Sequence, residues 1–204
     1  AVDDMGLTAS SKDNAAHYWN EHRPVARAGI DGWWPDVGDK LDPQARLARI
    51  RMYWDGPIRD HPEQRPFALH RNGYAGMQRY GWLWSGDIDS TWQTLAMQVP
   101  VGINCGLSGI PYWGTDIGGF VPTPEYTGEL HLRWFQFGAF CPLFRAHGRT
   151  WHLRLPWGWN TGEVGPSETR GYTGGAGEPD VSELHNPAVE PVVKQYLELR
   201  YRML

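Results

Sequence analysis

The chain has little cysteine, no long apolar run and no block of basic residues. Two cysteines in 204 residues cannot form a disulfide scaffold, and Cys105 and Cys141 stand in apolar surroundings that favour buried free thiols. No apolar run approaches the roughly 18 residues of a membrane-spanning helix. The 19 basic and 23 acidic residues show no basic cluster, which disfavours a surface for nucleic acid or anionic lipid.

Several common catalytic and cofactor motifs are also missing. No Gly-x-Gly-x-x-Gly opens a helix and no phosphate loop occurs, which disfavours a nucleotide-binding sheet. The eight histidines lack the spacings of metal sites, and there is neither a Gly-x-Ser-x-Gly elbow nor a cysteine–histidine signature. We therefore expect no cofactor and no metal ion.

The chain is instead rich in tryptophan, glycine and proline, with 12, 25 and 16 residues. This composition fits long ordered loops around a flat apolar ligand, and it fits a tryptophan-rich core equally well. The first residue is Ala1 rather than methionine, and Leu204 ends inside a helical pattern, so we expect a piece of a longer protein. The compartment stays open, with a secreted or periplasmic location favoured over a cytoplasmic one, and the oligomeric state is unknown.

Hydrophobic periodicity predicts helices that alternate with short strands. The predicted helices cover residues 11–26, 43–54, 90–99, 129–139 and 190–204. The predicted strands cover residues 30–36, 67–71, 80–84, 110–116 and 141–147. Residues 149–182 form a long loop rich in glycine, proline and tryptophan, which is typical of a functional segment. The alternation predicts an α/β fold with a parallel sheet.

A polar residue stands at the carboxyl end of each predicted strand. These residues are Asp36, Arg71, Asp87, Asp116 and His147. A (β/α)8 barrel keeps its active site at that end of its strands. Because the strands are too few for a full barrel, we predict that residues 1–204 form roughly the second half of one, with strands about four to eight and long βα loops.

Two of these residues, Asp36 and Asp87, form a candidate carboxylate pair. A retaining glycosidase needs one carboxylate as nucleophile and a second carboxyl group as general acid. Each residue also has an ordinary structural interpretation. A lone aspartate at a strand end is more often a helix cap or loop ligand, Arg71 could be an ion-pair partner, and His147 could be a satisfied loop histidine.

Four ordered blocks carry a resemblance to a known family. The blocks are residues 29–36 (GIDGWWPD), 71–87 (RNGYAGMQRYGWLWSGD), 108–120 (SGIPYWGTDIGGF) and 133–147 (RWFQFGAFCPLFRAH). Together they resemble glycoside hydrolase family 31, the α-glucosidase and α-xylosidase family. Leu199-Arg200-Tyr201 also resembles the helix that follows the family's barrel.

The resemblance implies a retaining α-glycosidase that releases a terminal sugar from oligosaccharides, most often an α-glucosidase. Asp36 would be the nucleophile and Asp87 the acid/base. Substrate-binding residues would be Trp34, Arg71, Trp84, Trp113, Asp116, Phe120, Arg145 and His147. Arg71, Asp116 and His147 would contact sugar hydroxyls, and the aromatic residues would form apolar walls. The first barrel strands, an N-terminal β-sandwich and C-terminal β domains would lie outside this chain.

The sequence departs from the family pattern in two places. Val37-Gly38-Asp39 stands where Met-Asn-Glu is commoner, which leaves Asp39 as a possible supporting group. Asp89 competes with Asp87 for the acid role, but it lies where a helix cap is expected. An α-xylosidase, an α-galactosidase, an α-transglucosylase and an inactive carbohydrate-binding fragment remain alternatives. The expected partner is an oligosaccharide or α-glycoside.

Overall fold

The computed structural model describes residues 12–148 and 187–203, and the loop expected at 149–182 lies outside these ranges. The chain divides into two compact units. Within the described ranges, the first unit holds residues 12–84 and 106–112, and the second holds residues 85–105, 113–148 and 187–203.

Two helices open the first unit. Helix α1 covers Lys12–Arg27 and helix α2 covers Pro43–Asp60. The side chain of Asp42 caps α2 by accepting hydrogen bonds from the backbone N–H groups of Gln44 and Ala45, each at 2.9 Å. Pro43 then occupies the first turn, where its missing N–H costs nothing. The predicted start of α2 is therefore confirmed.

The two helices are joined by a tryptophan that lies against a glycine. A Cβ on Gly56 would lie 2.3 Å from the Trp19 ring, so only glycine allows this approach. The Trp19 indole donates to Asp60 at 2.8 Å, and the Arg23 guanidinium donates to both Asp60 oxygens at 2.8 and 2.9 Å. These bonds lower the pKa of Asp60 to about 2, with the Arg23 hydrogen bond as the largest cause.

The end of α2 differs from the prediction. The helix continues through Pro57 to Asp60, because the contacts of Asp60 with α1 stabilise the last turn. The expected end at residue 54 was therefore wrong. The buried residues are Ala45, Arg49, Ile50, Met52, Tyr53 and Gly56. Arg49 is thus a charged residue within the buried side of α2.

The strands of the first unit are short and parallel. Strand β1 (Leu69–His70) pairs in parallel with strand β2 (Trp82–Trp84), with Leu69 opposite Trp82. A 3-10 helix, Met77–Arg79, lies between them. The strand expected over 30–36 is reduced to one parallel bridge, between Trp33 and Ala68, because Ile30, Asp31 and Gly32 are exposed. The parallel order still places residues 36 and 71 after neighbouring strands.

The second unit also combines helices with short strands. Helix α3 covers Trp92–Leu107, strand β3 covers Trp113–Gly114 and strand β4 covers Asp116–Ile117. Helix α4 covers Gly128–Gly138, strand β5 covers Arg145–Ala146 and helix α5 covers Glu190–Met203. The final residues of α3 belong to the first unit. Helix α3 runs through Pro100, so its predicted end at residue 99 was eight residues short.

The core of the second unit lies between α4, α5 and β4. It consists of Ile117, Tyr126, Leu130, Trp134, Phe135, Val189 and Val193. Strand β4 pairs in parallel with β5, which brings Asp116 opposite Arg145. Arg200 of α5 donates to the backbone carbonyls of Ala139, Cys141 and Pro142 at 2.7 to 3.0 Å and lies over the Phe144 ring. It thereby holds the turn that leads into β5.

Both cysteines are free thiols, as predicted. Cys141 is buried, and burial raises its pKa to about 11, while Cys105 is only partly buried. No helix within the described ranges is both long and apolar enough to cross a membrane.

Candidate active site

The first unit brings together two of the predicted site residues, Asp36 and Arg71. The segment around Trp33 runs parallel to the segment that leads into β1, and the two end side by side. Asp36 and Arg71, which follow these segments, therefore meet at one edge. Arg71 Nη1 donates to Asp36 Oδ1 at 3.2 Å. The backbone N–H of Val37 donates to the same oxygen at 2.7 Å. The Asp36 side chain remains 45% exposed, so a substrate can reach it.

The turn after Asp36 is held by several polar contacts. Asn72 Nδ2 donates to the carbonyl of Val37 at 2.9 Å and to Asp39 Oδ1 at 3.2 Å. Arg71 Nε also lies 3.6 Å from Asp39 Oδ2. Arg71 therefore lies between two carboxylates, and a supporting role for Asp39 stays a prediction that these contacts fit.

Two of the predicted aromatic wall residues contact one another. The rings of Trp34 and Trp84 meet edge to face, with centroids 5.9 Å apart. Trp34 is 46% exposed, whereas Trp84 is buried beneath it. This arrangement presents the Trp34 face to solvent next to Asp36, and it leaves Trp84 as a support for that ring.

Asp87 belongs to the second unit and stands three residues after the last residue of β2. Its side chain is exposed, and the preceding Gly86 has a φ of +73°, a left-handed conformation that favours glycine. Its rival Asp89 forms a backbone bridge with Val121 and accepts from the N–H of Thr91 at 3.0 Å. The helix cap expected at Asp89 was wrong, because Thr91 directly precedes α3 and its Oγ1 accepts from the N–H of Thr94 at 3.0 Å.

The remaining predicted residues of the second unit form two pairs. Asp116 is completely buried and forms an ion pair with Arg145, its register partner on β5. The Phe120 and His147 rings lie 5.3 Å apart and are tilted by 32°. Asp116 and Arg145 are the first residues of β4 and β5, whereas Phe120 and His147 follow those strands. Their contacts with sugar stay a prediction.

Trp113 lies in a closed environment. It is only 4% exposed, and a Cβ on Gly102 of α3 would lie 2.7 Å from its ring. Within the second unit its role is packing against α3. The apolar wall for the sugar stays a prediction for Trp113.

Two buried histidines, His22 and His70, belong to the first unit. His22 Nδ1 donates to the carbonyl of Tyr18 at 2.8 Å, which leaves Nε2 to accept from the Tyr53 hydroxyl at 2.9 Å. His70, next to Arg71 in the chain, is buried against Gly81, and burial followed by the nearby Arg49 charge lowers its pKa to about 3. Burial also lowers the pKa of His22. Both rings are therefore neutral near pH 7.

One open hollow of about 550 Å³ lies elsewhere in the second unit, at the beginning of α4. It is lined by Thr127, Gly128, Glu129, Leu132, Arg133, Ala188 and Val189. None of the predicted catalytic or substrate-binding residues lines this hollow. Within residues 12–148 and 187–203, no group of three or more His, Cys, Asp or Glu side chains is placed to hold a metal ion.

Sequence reasoning missed two residues of this site, Arg49 and Asn72. Arg49 is 5% exposed and donates to the backbone carbonyls of Asp36 and Val37. Its position in the sequence gave no signal, because this contact depends on the path of the backbone after Asp36. Asn72 gave no signal either, since an asparagine before a glycine is an ordinary turn residue.

Comparison with known proteins identifies the family. A sequence model described as the glycosyl hydrolases family 31 TIM-barrel domain matches residues 7–204. Alpha-glucosidase 2 of Bacillus thermoamyloliquefaciens is 37% identical over 92% of this chain and 24% of its own length. The alpha-xylosidase of Saccharolobus solfataricus is 45% identical over 46% of this chain and 13% of its own.

A solved structure agrees with these matches. The crystal structure of a family 31 alpha-xylosidase from a soil metagenome, complexed with xylose, superposes with a TM-score of 0.71 at 29% identity. The match covers 96% of this chain and 31% of that protein. The chain thus spans about a third or less of the length of these relatives. Since the family's sequence model covers nearly the whole chain, the chain belongs to glycosyl hydrolase family 31 and forms part of its TIM-barrel domain.

Proposed function

We propose that this chain carries the catalytic carboxylates of a retaining α-glycosidase that acts on terminal α-glucosides. The observation that carries the proposal is the setting of Asp36. Its Oδ1 accepts from Arg71 and from the N–H of Val37, while the side chain stays open to solvent. A nucleophile needs this combination of fixed orientation and access.

The reaction proceeds in two displacements. Asp36 attacks the anomeric carbon, the glycosidic C–O bond breaks, and Asp87 donates its proton to the departing oxygen. The glycosyl ester on Asp36 is then attacked by water, from which Asp87 removes a proton. The ester C–O bond breaks and the sugar leaves with the α configuration. Because two inversions occur at one carbon, retention is the signature of this mechanism.

The remaining site residues recognise the sugar in this proposal. Arg71 orients Asp36 and offers further donors to a hydroxyl group. Asp116 and Arg145 act as a unit, in which the buried carboxylate fixes the guanidinium. His147 offers a ring nitrogen next to Phe120, and the exposed ring of Trp34 forms the apolar wall. An oligosaccharide or aryl α-glycoside is the substrate, and the rest of the barrel lies outside this chain.

An α-xylosidase is the second candidate. Two of the relatives above are named alpha-xylosidases, one of them solved with xylose. The two activities differ in whether the site accommodates the C6 hydroxymethyl group of glucose. Comparing kcat/KM for 4-nitrophenyl α-glucoside and α-xyloside separates them, and we expect the glucoside to be preferred.

The stereochemical course tests the mechanism. Proton NMR of the first turnovers should show the α-anomer of the released sugar before mutarotation, and Asp36→Asn should abolish turnover with an unchanged unfolding temperature. A β-anomer as first product would contradict the retaining mechanism, and an active Asp36→Asn variant would contradict the nucleophile assignment. A folded protein with no turnover of either glycoside would favour the inactive binding fragment.

A further inference from the structure

The backbone directly after Asp36 adopts a strained conformation. Val37 has a φ of +61° and Gly38 a φ of +85°. A β-branched residue in the left-handed region is a genuine outlier. Such a conformation persists only when surrounding contacts hold it. The turn therefore needs an anchor in the rest of the first unit.

Arg49 of α2 provides this anchor. Its Nη2 donates to the carbonyl of Asp36 at 2.8 Å and its Nη1 donates to the carbonyl of Val37 at 3.2 Å. The guanidinium is planar and rigid, so it fixes two successive carbonyl groups at once. A Cβ on Gly38 would lie 2.6 Å from Nη1, so this glycine also makes room for the guanidinium.

A single planar peptide connects this anchor to the carboxylate. The carbonyl of Asp36 and the N–H of Val37 belong to the same peptide group, whose atoms lie in one plane. Arg49 binds the carbonyl end, and the N–H end donates to Asp36 Oδ1 at 2.7 Å. Rotation of that peptide would break both bonds. The direction of the carboxylate therefore depends on a buried side chain that does not touch it.

We propose that Arg49 is a positioning residue for the nucleophile, acting through the Asp36–Val37 peptide. This inference rests on the proposed function, because it takes Asp36 as the nucleophile. Arg49 differs from Arg71, which contacts the carboxylate itself. Loss of Arg49 should therefore slow formation of the glycosyl ester while sugar binding changes little.

The decisive variant is Arg49→Lys, because one ammonium group cannot span both carbonyls in the geometry of the fork. Arg46→Lys is the matched control. Arg46 lies on the same helix and donates to the carbonyls of Leu41 and Asp39 rather than to those of Asp36 and Val37. Circular dichroism and thermal unfolding of the intact protein establish that both variants are folded.

The readout is the rate at which 5-fluoro-α-D-glucosyl fluoride labels the intact protein, followed by mass spectrometry. The C1–F bond breaks, fluoride leaves, and an ester bond forms between C1 and Asp36, which the ring fluorine keeps from hydrolysing quickly. We expect Arg49→Lys to lower the maximal labelling rate by roughly tenfold to a hundredfold, as a small misplacement of a reacting group does. The reagent concentration at half-maximal rate should change less than about threefold, and Arg46→Lys should label at the normal rate.

Gly38→Ala disturbs the same contact by changing the turn instead of Arg49. It replaces Arg49→Lys as the test variant if Arg49→Lys fails to fold. Its Cβ would displace the guanidinium while Arg49 remains. We expect a comparable loss of labelling rate. A folded Gly38→Ala variant that labels at the normal rate would overturn the inference.

The outcomes separate this inference from the proposed function. If the unsubstituted protein is not labelled at Asp36, the proposed function fails whatever Arg49 does. If Asp36 is labelled and a folded Arg49→Lys labels at the normal rate, Arg49 is not a positioning residue and the proposed function stands.

Discussion

Arg71 donates a hydrogen bond to the Asp36 carboxylate at 3.2 Å, although 35 residues separate them in the chain. The contact follows from topology. Asp36 and Arg71 each follow a short extended segment. The two segments run parallel, because Trp33 forms a parallel bridge with Ala68. In parallel sheets the carboxyl ends of strands meet at one edge, and α/β barrels place catalytic groups there.

Removal of this contact should impair catalysis without unfolding the protein. We expect Arg71→Met to lower kcat/KM for 4-nitrophenyl α-glucoside by roughly tenfold to a hundredfold, since a hydrogen bond to a charged group contributes about 1.5–3 kcal/mol. Arg79→Met is the control, because Arg79 is exposed and lies over the Tyr80 ring. Equal kcat/KM in the two variants would refute a role for Arg71.

Asp87 can be tested through the leaving group. Without the general acid, the rate of hydrolysis should fall most for substrates with poor leaving groups. Asp87→Ala should therefore be nearly inactive on a disaccharide, whereas its activity on α-glucosyl fluoride should fall far less. Azide should restore turnover and give the α-glucosyl azide, because azide needs no base to attack the ester. The same experiment on Asp89→Ala identifies the acid. Azide rescue of Asp89→Ala alone would reverse the assignment.

The buried histidines predict a pH dependence of stability. The pKa of His70 in the folded state is about 3, below its ordinary value of 6.5, so the unfolded chain binds the extra proton first. This contribution to stability is complete above pH 6.5 and is lost as the pH falls from 6.5 toward 3. His22 acts in the same direction, since burial lowers its pKa.

His70→Leu should therefore reduce the slope of the unfolding temperature between pH 6.5 and 4, with a residual slope from His22. His17→Leu is the matched control, because His17 is exposed and pairs only loosely with Glu21 at 3.6 Å. If His70→Leu and the unsubstituted protein show parallel pH profiles, the burial of a neutral His70 is contradicted.

Arg200 should contribute to the stability of the second unit. Its guanidinium donates to three carbonyls of the turn before β5. We expect Arg200→Met to lower the free energy of unfolding by about 1–3 kcal/mol, since the carbonyls lose charged donors. Arg202→Met should change it by less than about 0.5 kcal/mol, because Arg202 is exposed and lies 3.8 Å from Glu198. Equal effects in urea unfolding would contradict the role of Arg200.

The sequence predicted the order of elements better than their ends. Asp42 and Pro43 mark the start of α2 because capping is a local property of these residues. Pro57 and Pro100 suggested helix ends that the structure does not have. Contacts distant in sequence, such as those of Asp60 with Trp19 and Arg23, decide where α2 stops, and no local pattern records them.

The candidate site shows the same division. Asp36 and Arg71 were predictable as partners, because strand order alone brings strand ends together. Arg49 was not, since its role depends on the path of the backbone after Asp36 and on a left-handed Val37. A non-glycine residue with positive φ depends on tertiary contacts, which are visible only in the folded chain.

The distance between the carboxyl groups of Asp36 and Asp87 decides whether the two can act on one anomeric carbon. We predict a separation of about 5 to 5.5 Å in a crystal structure of the intact protein, as retaining glycosidases require. A separation near 9 Å with both side chains ordered would show that they are not a retaining pair.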